Sequence, residues 1–375
     1  MSSGTESGGF GLIGLDGKPT ERAIELGKTA RIVDENKALL VKSKPVEAQV
    51  ALVYDPAIQR AGGGRGAGAA GGGGAAGGGM AAFSQNSLIG YYRTLAENNV
   101  PLDFIHRKDM ESGDMSRYKL IIYPCPILLS TAAAEGIKRY IQQGGSVVAE
   151  ARLAWNSDHA YASTVVPGMG LGEIFGVRET KVLTRTDVGM RIVDNSHAAL
   201  TKLKIGDDLK GAQFAESLEL LPNGNGKILA RLADNTPGMV SANYGKGQTL
   251  MIGTFLGLGN QPTSYRNDAQ FVLGLLDWAK VSRPFKTSQD GLDPETPIEA
   301  RLHENADGYL LFLINHGTAA KPVTVDLNVK DDGQFSLNEI VHKQVVQQRS
   351  QNKTLSFSSD LPAKQVAVWD IRRTN

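Results

Sequence analysis

Residues 118–151 constrain the fold more than any other stretch, because they hold a strand, a helix and a second strand in one uninterrupted run. The first strand, residues 120–123, is a short apolar run typical of a parallel strand buried on both faces. The helix that follows shows one apolar stripe and ends at two glycines. Apolar residues then resume at 147–149, so the order predicts a right-handed parallel crossover.

Similar patterns lie on both sides of this unit. Residues 46–54 and 101–106 are expected to form strands, with a helix starting near Ser87 between them, and residues 247–255 and 268–279 predict a later strand and a closing helix. Together these elements predict an α/β domain with a doubly wound open sheet, similar to flavodoxin or the class I glutamine amidotransferases. Sites on such sheets lie beyond the carboxyl ends of the strands.

The character of the sequence changes after Pro284. A polar, proline-bearing linker is followed by short alternating segments separated by turn signals such as Asp307-Gly308 and Asp332-Gly333. No helical period interrupts them. The pattern predicts a small antiparallel β-sandwich domain over residues 298–375.

Residues 62–79 are almost entirely glycine and alanine. Gly66, Gly68 and Gly71 satisfy the G-x-G-x-x-G pattern of dinucleotide-binding turns. That turn passes tightly from a strand into a helix, whereas this tract begins well after the strand and no helix starts at Gly71. We therefore interpret residues 62–79 as a low-complexity insertion in a surface loop.

Composition excludes several classes of function. The formal net charge of +1 gives no electrostatic reason to expect nucleic acid or a membrane as partner. Cys125 is the only cysteine, so an intrachain disulfide or a multi-cysteine metal site cannot form, and no metal or cofactor is predicted. No apolar run is long enough to span a bilayer, and the first residues lack signal-peptide features. These features favour the cytoplasm but leave the location of the full protein undetermined.

Six motifs, taken in order, resemble the C-terminal half of family 42 β-galactosidases, which are retaining glycosidases that hydrolyse terminal β-galactosides. The motifs are VALVYD (50–55), GYYRTLAENNVPLDFIH (90–106), YKLIIYPCPILLS (118–130), YIQQGGSVVAEAR (140–152), NYGKGQTLMIGTFLG (243–257) and YLLFLINHG (309–317).

The resemblance implies a division into domains. Residues 1–45 would be the last loop and helix of a (β/α)8 barrel, residues 46–285 an α/β trimerisation domain, and residues 298–375 a C-terminal β domain. It also implies a homotrimer. In that family both catalytic carboxylates, which retaining chemistry places about 5 to 5.5 Å apart, lie on barrel strands that would precede residue 1. No residue here inherits a catalytic role, and β-galactoside is expected to bind only through the missing barrel.

The family's Asn-Glu acid/base dipeptide occurs once, as Asn338-Glu339, inside a predicted strand of the β domain. A dipeptide recurs by chance, and function has to be argued from a site. The expected function is therefore that of a non-catalytic assembly portion of a β-galactosidase-like enzyme.

Two alternatives come from other functional classes. One is a free-standing amidotransferase-like hydrolase with Cys125 as nucleophile, although Pro124 and Pro126 leave little room for the elbow and oxyanion donors that this chemistry needs. The other is a carbohydrate-binding module that uses Trp369, Tyr309 and His316. Aromatic residues in a small β domain are also typical core residues.

One loop is singled out as a candidate contact surface. Arg152, Trp155, Asp158 and His159 follow the strand at 147–149, where sites on such sheets form. The same loop contains Tyr161. In a trimer, this polar and aromatic loop is a candidate to line an interface or to border a neighbour's sugar site, since aromatic residues and arginine are enriched in interfaces. The alternative is a hydrated loop that packs only on its own domain. Met190 and Arg191 show no comparable signal.

Overall fold

The computed structural model describes residues 11–14, 16–58, 79–222, 224–259, 266–291 and 295–374. The chain divides into two compact units. One contains residues 1–46, 284–288 and 298–375, and the other contains residues 47–283 and 289–297. Residues 62–78 of the glycine-rich insertion predicted over 62–79, with its glycine motif, lie outside the described residues.

The helices of the described part, in chain order, are α1 (Glu21–Glu35), α2 (Lys37–Lys42), α3 (Met80–Glu97), α4 (Arg107–Ser112), α5 (Thr131–Gln142), α6 (Leu171–Phe175), α7 (Leu256–Gly259) and α8 (Arg266–Trp278). The strands of the unit around residues 47–283 are β2 (Val50–Val53), β3 (Leu102–Ile105), β4 (Leu120–Tyr123), β5 (Leu128–Leu129), β6 (Ser146–Ala149), β7 (Asn156–Ser157), β8 (Val177–Ile192), β9 (Asp208–Leu220), β10 (Lys227–Leu232), β11 (Pro237–Tyr244) and β12 (Gly247–Ile252).

The strands of the other unit are β1 (Lys44–Pro45), β13 (Phe285–Thr287), β14 (Ile298–Asn305), β15 (Gly308–Asn315), β16 (Lys321–Asn328), β17 (Gln334–Glu339), β18 (Gln344–Arg349), β19 (Thr354–Leu361) and β20 (Val366–Thr374).

A nine-stranded sheet organises the unit around residues 47–283. Its order is β3-β2-β4-β6-β12-β11-β10-β8-β9. The first five strands are parallel, and each pair from β12 onward is antiparallel. The carboxyl ends of the parallel strands therefore meet at one edge of the sheet, and the antiparallel strands extend the sheet beyond β12.

The predicted doubly wound, flavodoxin- or amidotransferase-like open sheet is wrong. Strand accounts for 40% and helix for 25% of the structure, and the sheets are mixed or antiparallel. The error arises between residues 152 and 246, where the sequence suggested no sheet strands and the structure places β8 to β11. These strands are paired by antiparallel ladders, which need no crossover helix.

Side chains alternate between the two faces of this sheet along its buried strands, so each face packs in its own apolar core. Val50 and Leu52 point into one apolar cluster, whereas Ala51 and Val53 point into the other. The apolar stripe predicted on α5 is buried in the second cluster, with Ile137 and the residues around it. These cores fix the ends of β2, β4 and β6 relative to one another.

The β8–β9 ribbon is the longest strand pair, with 16 and 13 residues. Most of β8 between Arg178 and Asp187 is exposed or half-buried. In β9, by contrast, Phe214, Glu216 and Leu218 are buried. This inner face of the ribbon brings Phe214 into a small apolar cluster with Cys125.

The other unit is built from antiparallel ladders. One sheet has the order β1-β14-β15-β20-β17-β18, and a second has the order β13-β16-β19. Their inward side chains form a single core that includes Leu311, Val325 and Trp369. Helix α1 has an N-cap at Thr20, but none of its residues is buried.

Candidate functional site

The carboxyl edge of the parallel strands gathers polar residues. Asp55 follows β2, Arg107 follows β3, Cys125 follows β4 and Glu150 follows β6. Asp55 and Glu150 are buried, at 3% and 0% exposure. The edge is therefore a buried polar layer and not an open crevice.

Glu150 ties three segments to this edge. Its Oε2 accepts a hydrogen bond from Ser87 Oγ at 2.6 Å and another from the Cys125 backbone N–H at 2.9 Å. Its Oε1 accepts from the Gly257 N–H at 2.9 Å. Burial raises the pKa of Glu150, and these three donors oppose the rise by stabilising the carboxylate. A buried carboxylate that accepts these three hydrogen bonds has a structural role.

Arg152 connects the end of β6 to the β8–β9 ribbon. Its Nη1 donates to both carboxylate oxygens of Glu179 on β8, and its backbone N–H donates to Glu216 Oε2 on β9 at 3.0 Å. The guanidinium lies 3.8 Å from the centre of the Trp155 ring, within cation–π distance. Arg152 adopts a left-handed φ of 65°, which this set of contacts stabilises.

Glu216, like Glu150, is fully buried. Burial, followed by the nearby Glu179, raises its pKa well above the ordinary value. Its Oε1 has no hydrogen-bond partner among the described residues. The carboxyl group is fully buried and accepts the Arg152 N–H, so it stabilises the loop and is not accessible as a general base.

Cys125 does not have the environment of a nucleophile. Its thiol is fully buried, and burial followed by the charge of Glu150 raises its pKa well above the ordinary value. Its Sγ lies 3.9 Å from Met80 Sδ. Cys125 does adopt a left-handed φ of 48°, as a residue on a sharp elbow would. A thiolate needs a cationic partner and access to substrate, and nothing supports the amidotransferase-like alternative.

The loop after β6 contains the candidate contact residues. Arg152 is buried, Trp155 is half-buried, and Asp158 and His159 are exposed. Ser157 Oγ accepts from the backbone N–H groups of His159 and Tyr161, at 3.3 and 3.2 Å, and so shapes the tip of the loop. The structure thus anchors the loop through Arg152 and Trp155 and leaves Asp158 and His159 exposed.

Neither a metal site nor a membrane span is found in the described part of the chain. No group of three or more His, Cys, Asp or Glu side chains there is arranged to hold a metal ion. No helix among those described residues is long and apolar enough to cross a membrane.

Comparison with protein families decides what this unit is. A family model described as the β-galactosidase trimerisation domain, from glycoside hydrolase family 42, matches residues 48–281. The chain belongs to this family. The match includes the nine-stranded sheet, the β8–β9 ribbon and the loop after β6, so these features are parts of a trimerisation domain.

Curated relatives share this region at low identity. β-Galactosidase LacA of Lactobacillus acidophilus is 28% identical over 179 residues, which are 46% of this chain and 24% of that protein. β-Galactosidase LacZ of Heyndrickxia coagulans is 27% identical over 233 residues, which are 61% of this chain and 30% of that protein. The matched region thus spans about a quarter to a third of these relatives.

Solved structures confirm the fold over nearly the whole chain. The β-galactosidase from Bacillus circulans sp. alkalophilus superposes with a TM-score of 0.70 at 18% identity, covering 96% of this chain and 46% of that one. At this identity the likeness concerns the fold alone.

Trp369 and His316, two residues of the carbohydrate-binding alternative, contact other side chains of the β domain. Trp369 is buried and packs edge-to-face on Phe357 at 5.3 Å between ring centres. His316 Nε2 lies 2.9 Å from Glu299 Oε2. No finding supports the carbohydrate-binding alternative.

Glu339 of the Asn338-Glu339 dipeptide is buried and fully engaged. Its Oε1 accepts from the backbone N–H groups of Val341 and Val368, at 3.1 and 2.7 Å. Its Oε2 accepts from the His342 N–H at 2.5 Å. A buried carboxylate whose oxygens accept these backbone hydrogen bonds at a turn cannot contact a sugar.

Sequence reasoning missed Glu179 and Glu216, the two acids that hold Arg152. A signal for Glu216 exists in the sequence. Phe214, Glu216 and Leu218 alternate along one strand face, so Glu216 sits between two apolar residues on the buried side. A lone acid on such a face indicates a buried polar partner. No comparable signal marks Glu179.

Proposed function

We propose that this chain assembles as a homotrimer and serves as the assembly portion of a β-galactosidase-like glycoside hydrolase, without hydrolytic activity of its own. The observation that carries the proposal is the match of residues 48–281 to the β-galactosidase trimerisation domain. Self-association is proposed because the family is described as a trimerisation domain. The parent reaction would be the retaining hydrolysis of terminal β-galactosides.

The burial of three glutamate side chains supports the proposed lack of hydrolytic activity. Retaining hydrolysis requires two acids about 5 to 5.5 Å apart that reach the same glycosidic bond. Glu150, Glu216 and Glu339 are all buried and accept backbone hydrogen bonds. None of them is placed to protonate a leaving group or to attack a sugar.

The chain would be organised in three parts. Residues 1–45 would correspond to the last loop and helix of a barrel, residues 46–285 to the trimerisation domain with a glycine-rich insertion at 62–79, and residues 298–375 to the C-terminal β domain. Support for the first part comes from α1, which exposes Ile24, Leu26 and Val33. A helix of this length is marginal without a packing partner.

Within the trimer, the loop carrying Arg152, Trp155, Asp158 and His159 would face a neighbouring copy. Its anchoring favours this role, because Arg152 is fixed by Glu179 and Trp155 while Asp158 and His159 point outward. A preorganised loop loses less conformational entropy on association than a loose one.

Two measurements on the full chain test the proposal. Size-exclusion chromatography with light scattering at micromolar concentration should give three times the 40.0 kDa chain mass. An assay with a chromogenic β-galactoside should show no turnover above the buffer rate. A monomer would overturn the assembly role, and turnover by the purified chain would overturn the claim of inactivity.

A further inference from the structure

A polar cleft lies within the unit that contains the β domain. It encloses about 390 Å³, between helices α1 and α2 on one side and strands β17 and β20 on the other. Every residue that lines it belongs to this unit. Three of the lining side chains are apolar, and the others are amides, carboxylates and cations. None of the described residues that line it is aromatic, so it is a different site from the carbohydrate-binding alternative based on Trp369.

The two walls of the cleft are fastened to each other. Ser43, at the end of α2, is buried, and its Oγ donates to the Leu39 carbonyl of the same helix at 2.9 Å. The same oxygen accepts from Asn305 Nδ2, at the end of β14, at 2.8 Å. Asn305 Oδ1 in turn accepts from the Asp307 N–H at 2.8 Å. A cleft whose walls are held in this way is preformed, so a ligand binds with little loss of conformational entropy.

Strands β17 and β20 form the floor of the cleft. Asn338 and Asp370 lie directly opposite each other in this antiparallel pair, so their side chains share one face, with Cβ atoms about 5 Å apart. Asp370 is buried, and both of its carboxylate oxygens accept from Arg372 Nε, at 3.0 and 2.9 Å. The side-chain amide of Asn338 is exposed and forms no hydrogen bond with another described residue. The floor therefore offers a fixed carboxylate beside a free amide.

The charges in the cleft do not favour an ionic ligand. The hydrogen bond from Arg372 to Asp370 raises the pKa of Arg372, and the charge of Asp307 adds to the rise. A guanidinium that faces two carboxylates has little attraction left for an anion. Among the described residues, no three His, Cys, Asp or Glu side chains are grouped to hold a metal ion. An apolar ligand is disfavoured as well, because it would cover polar groups without satisfying their hydrogen bonds.

Hydroxyl groups match this lining better than charged or apolar groups do. A hydroxyl both donates and accepts, so it can bind the amide of Asn338 and the carboxylate of Asp370. Exposed Lys42 supplies further donors, and Leu39 and Ile340 supply apolar contacts for a carbon skeleton. The volume lies at the small end of the range for ligand sites. We propose that this cleft binds a small, neutral polyol of the size of a monosaccharide. Such binding requires neither the trimer nor the parent hydrolysis, so it goes beyond the proposed function.

Ligand-observed NMR with the full-length chain tests the proposal. The probes are D-glucose, D-galactose and myo-inositol, each at millimolar concentration. We expect saturation transfer from the protein to at least one of these three polyols. Isothermal titration calorimetry with sodium phosphate and with calcium chloride tests for ionic ligands, and neither ion should bind in the cleft.

Two substitutions distinguish binding in the cleft from binding elsewhere. Asn338→Ala removes the free amide and should weaken polyol binding by about 5- to 10-fold, which corresponds to one hydrogen bond. Ala38→Met, at an exposed position of α2 that lines the cleft, fills the space without removing a polar group and should abolish binding. Gln344→Ala removes an exposed amide from β18, outside the cleft, and is the matched control that should bind like wild type. Circular dichroism and thermal melting check that each variant is folded, and Asn338→Ala with its control decides the question if Ala38→Met does not fold.

Failure of all three polyols to bind the folded wild-type chain would overturn the proposal. So would a polyol that binds equally well to wild type and to Asn338→Ala, because the binding site would then lie elsewhere. Binding of phosphate or calcium that Asn338→Ala or Ala38→Met removes would also overturn it, because the cleft would then hold an ion. None of these outcomes bears on the oligomeric state, which light scattering measures separately.

Discussion

Ser87 Oγ donates a 2.6 Å hydrogen bond to Glu150 Oε2, and both residues are fully buried. The bond joins helix α3 to the end of strand β6, where open sheets commonly hold their ligands. The same carboxylate accepts hydrogen bonds from the N–H groups of Cys125, which follows β4, and Gly257, which lies in α7. The strand ends of this trimerisation domain are thus fastened together by an acid that, in another protein, would be a candidate for catalysis.

Replacing Glu150 with alanine should destabilise the trimerisation domain severely. The substitution leaves the Ser87 hydroxyl and the Cys125 and Gly257 N–H groups buried without an acceptor. Each unsatisfied donor costs about 1 to 3 kcal/mol, so we expect Glu150→Ala to lower the free energy of unfolding by about 3 kcal/mol or more. Chemical denaturation followed by circular dichroism measures the change.

Glu219→Ala is the matched control for that experiment. Glu219 also pairs with an arginine, Arg178 at 3.0 Å, but both side chains are about half exposed. Exposed pairs contribute little, so the control should stay within about 1 kcal/mol of wild type. Equal losses in the two variants would contradict the role assigned to Glu150.

Gly136 on α5 should not tolerate a methyl group. A Cβ placed there would lie 1.7 Å from the Met110 carbonyl oxygen of α4, so the two helices approach each other through this glycine. We expect Gly136→Ala to destabilise the domain by about 2 kcal/mol or more, although alanine is the better helix former. Thermal melting measures the loss. Glu135→Ala at the adjacent exposed position should change stability by only about 0.5 kcal/mol, and a stabilised Gly136→Ala variant would refute the close approach.

Local patterns predicted the parallel part of the sheet well. The apolar run at 120–123 is β4 (Leu120–Tyr123), and the run at 147–149 falls within β6 (Ser146–Ala149). The helix predicted between them is α5, and Ser130 is its N-cap. These elements were predictable because burial on both faces leaves an unmistakable apolar run.

The antiparallel part could not be predicted in the same way. In β8, the residues from Arg178 to Asp187 face solvent or are half-buried, so they lack the alternation that marks a strand. Their pairing with β9 is a long-range backbone ladder, which side-chain patterns do not specify. Because these antiparallel strands were not predicted, the sequence wrongly indicated an open, doubly wound sheet. For the same reason Glu179 was not recognised as a partner of Arg152.

Cys125 should be chemically inert in the folded protein. Its thiol is buried beside Met80, and burial raises its pKa, so little thiolate forms at neutral pH. We expect reaction with a disulfide reagent such as dithionitrobenzoate to be at least about 100-fold slower than for a small free thiol, and complete in guanidinium chloride. Cys125→Ser should leave folding nearly unchanged apart from a modest packing loss. Rapid labelling of the native chain would contradict the buried, structural assignment.

Asp268 in the first turn of α8 should make the stability of the domain depend on pH. Burial raises its pKa from 3.8 to about 7, opposed by the N–H of Lys210, which donates to Oδ1 at 2.9 Å. The folded chain therefore binds a proton between about pH 4 and 7 that the unfolded chain has released. Stability consequently falls as the pH rises through this window, and the loss is complete above about pH 7.

Asp268→Asn isolates this contribution, because asparagine keeps an oxygen for the Lys210 N–H and does not ionise. The free energy of unfolding of the variant, minus that of wild type, should rise between about pH 4 and 7 by up to about 4 kcal/mol and then level off. Buried Glu150 and Glu216 titrate in both proteins, so the difference reports Asp268 alone. Asp277→Asn, on the same helix at an exposed position paired with Lys202 at 3.4 Å, should run parallel to wild type. Urea unfolding at half-unit pH steps gives the curves, and a pH-independent difference for Asp268→Asn would show that this carboxyl group is ionised in the fold throughout.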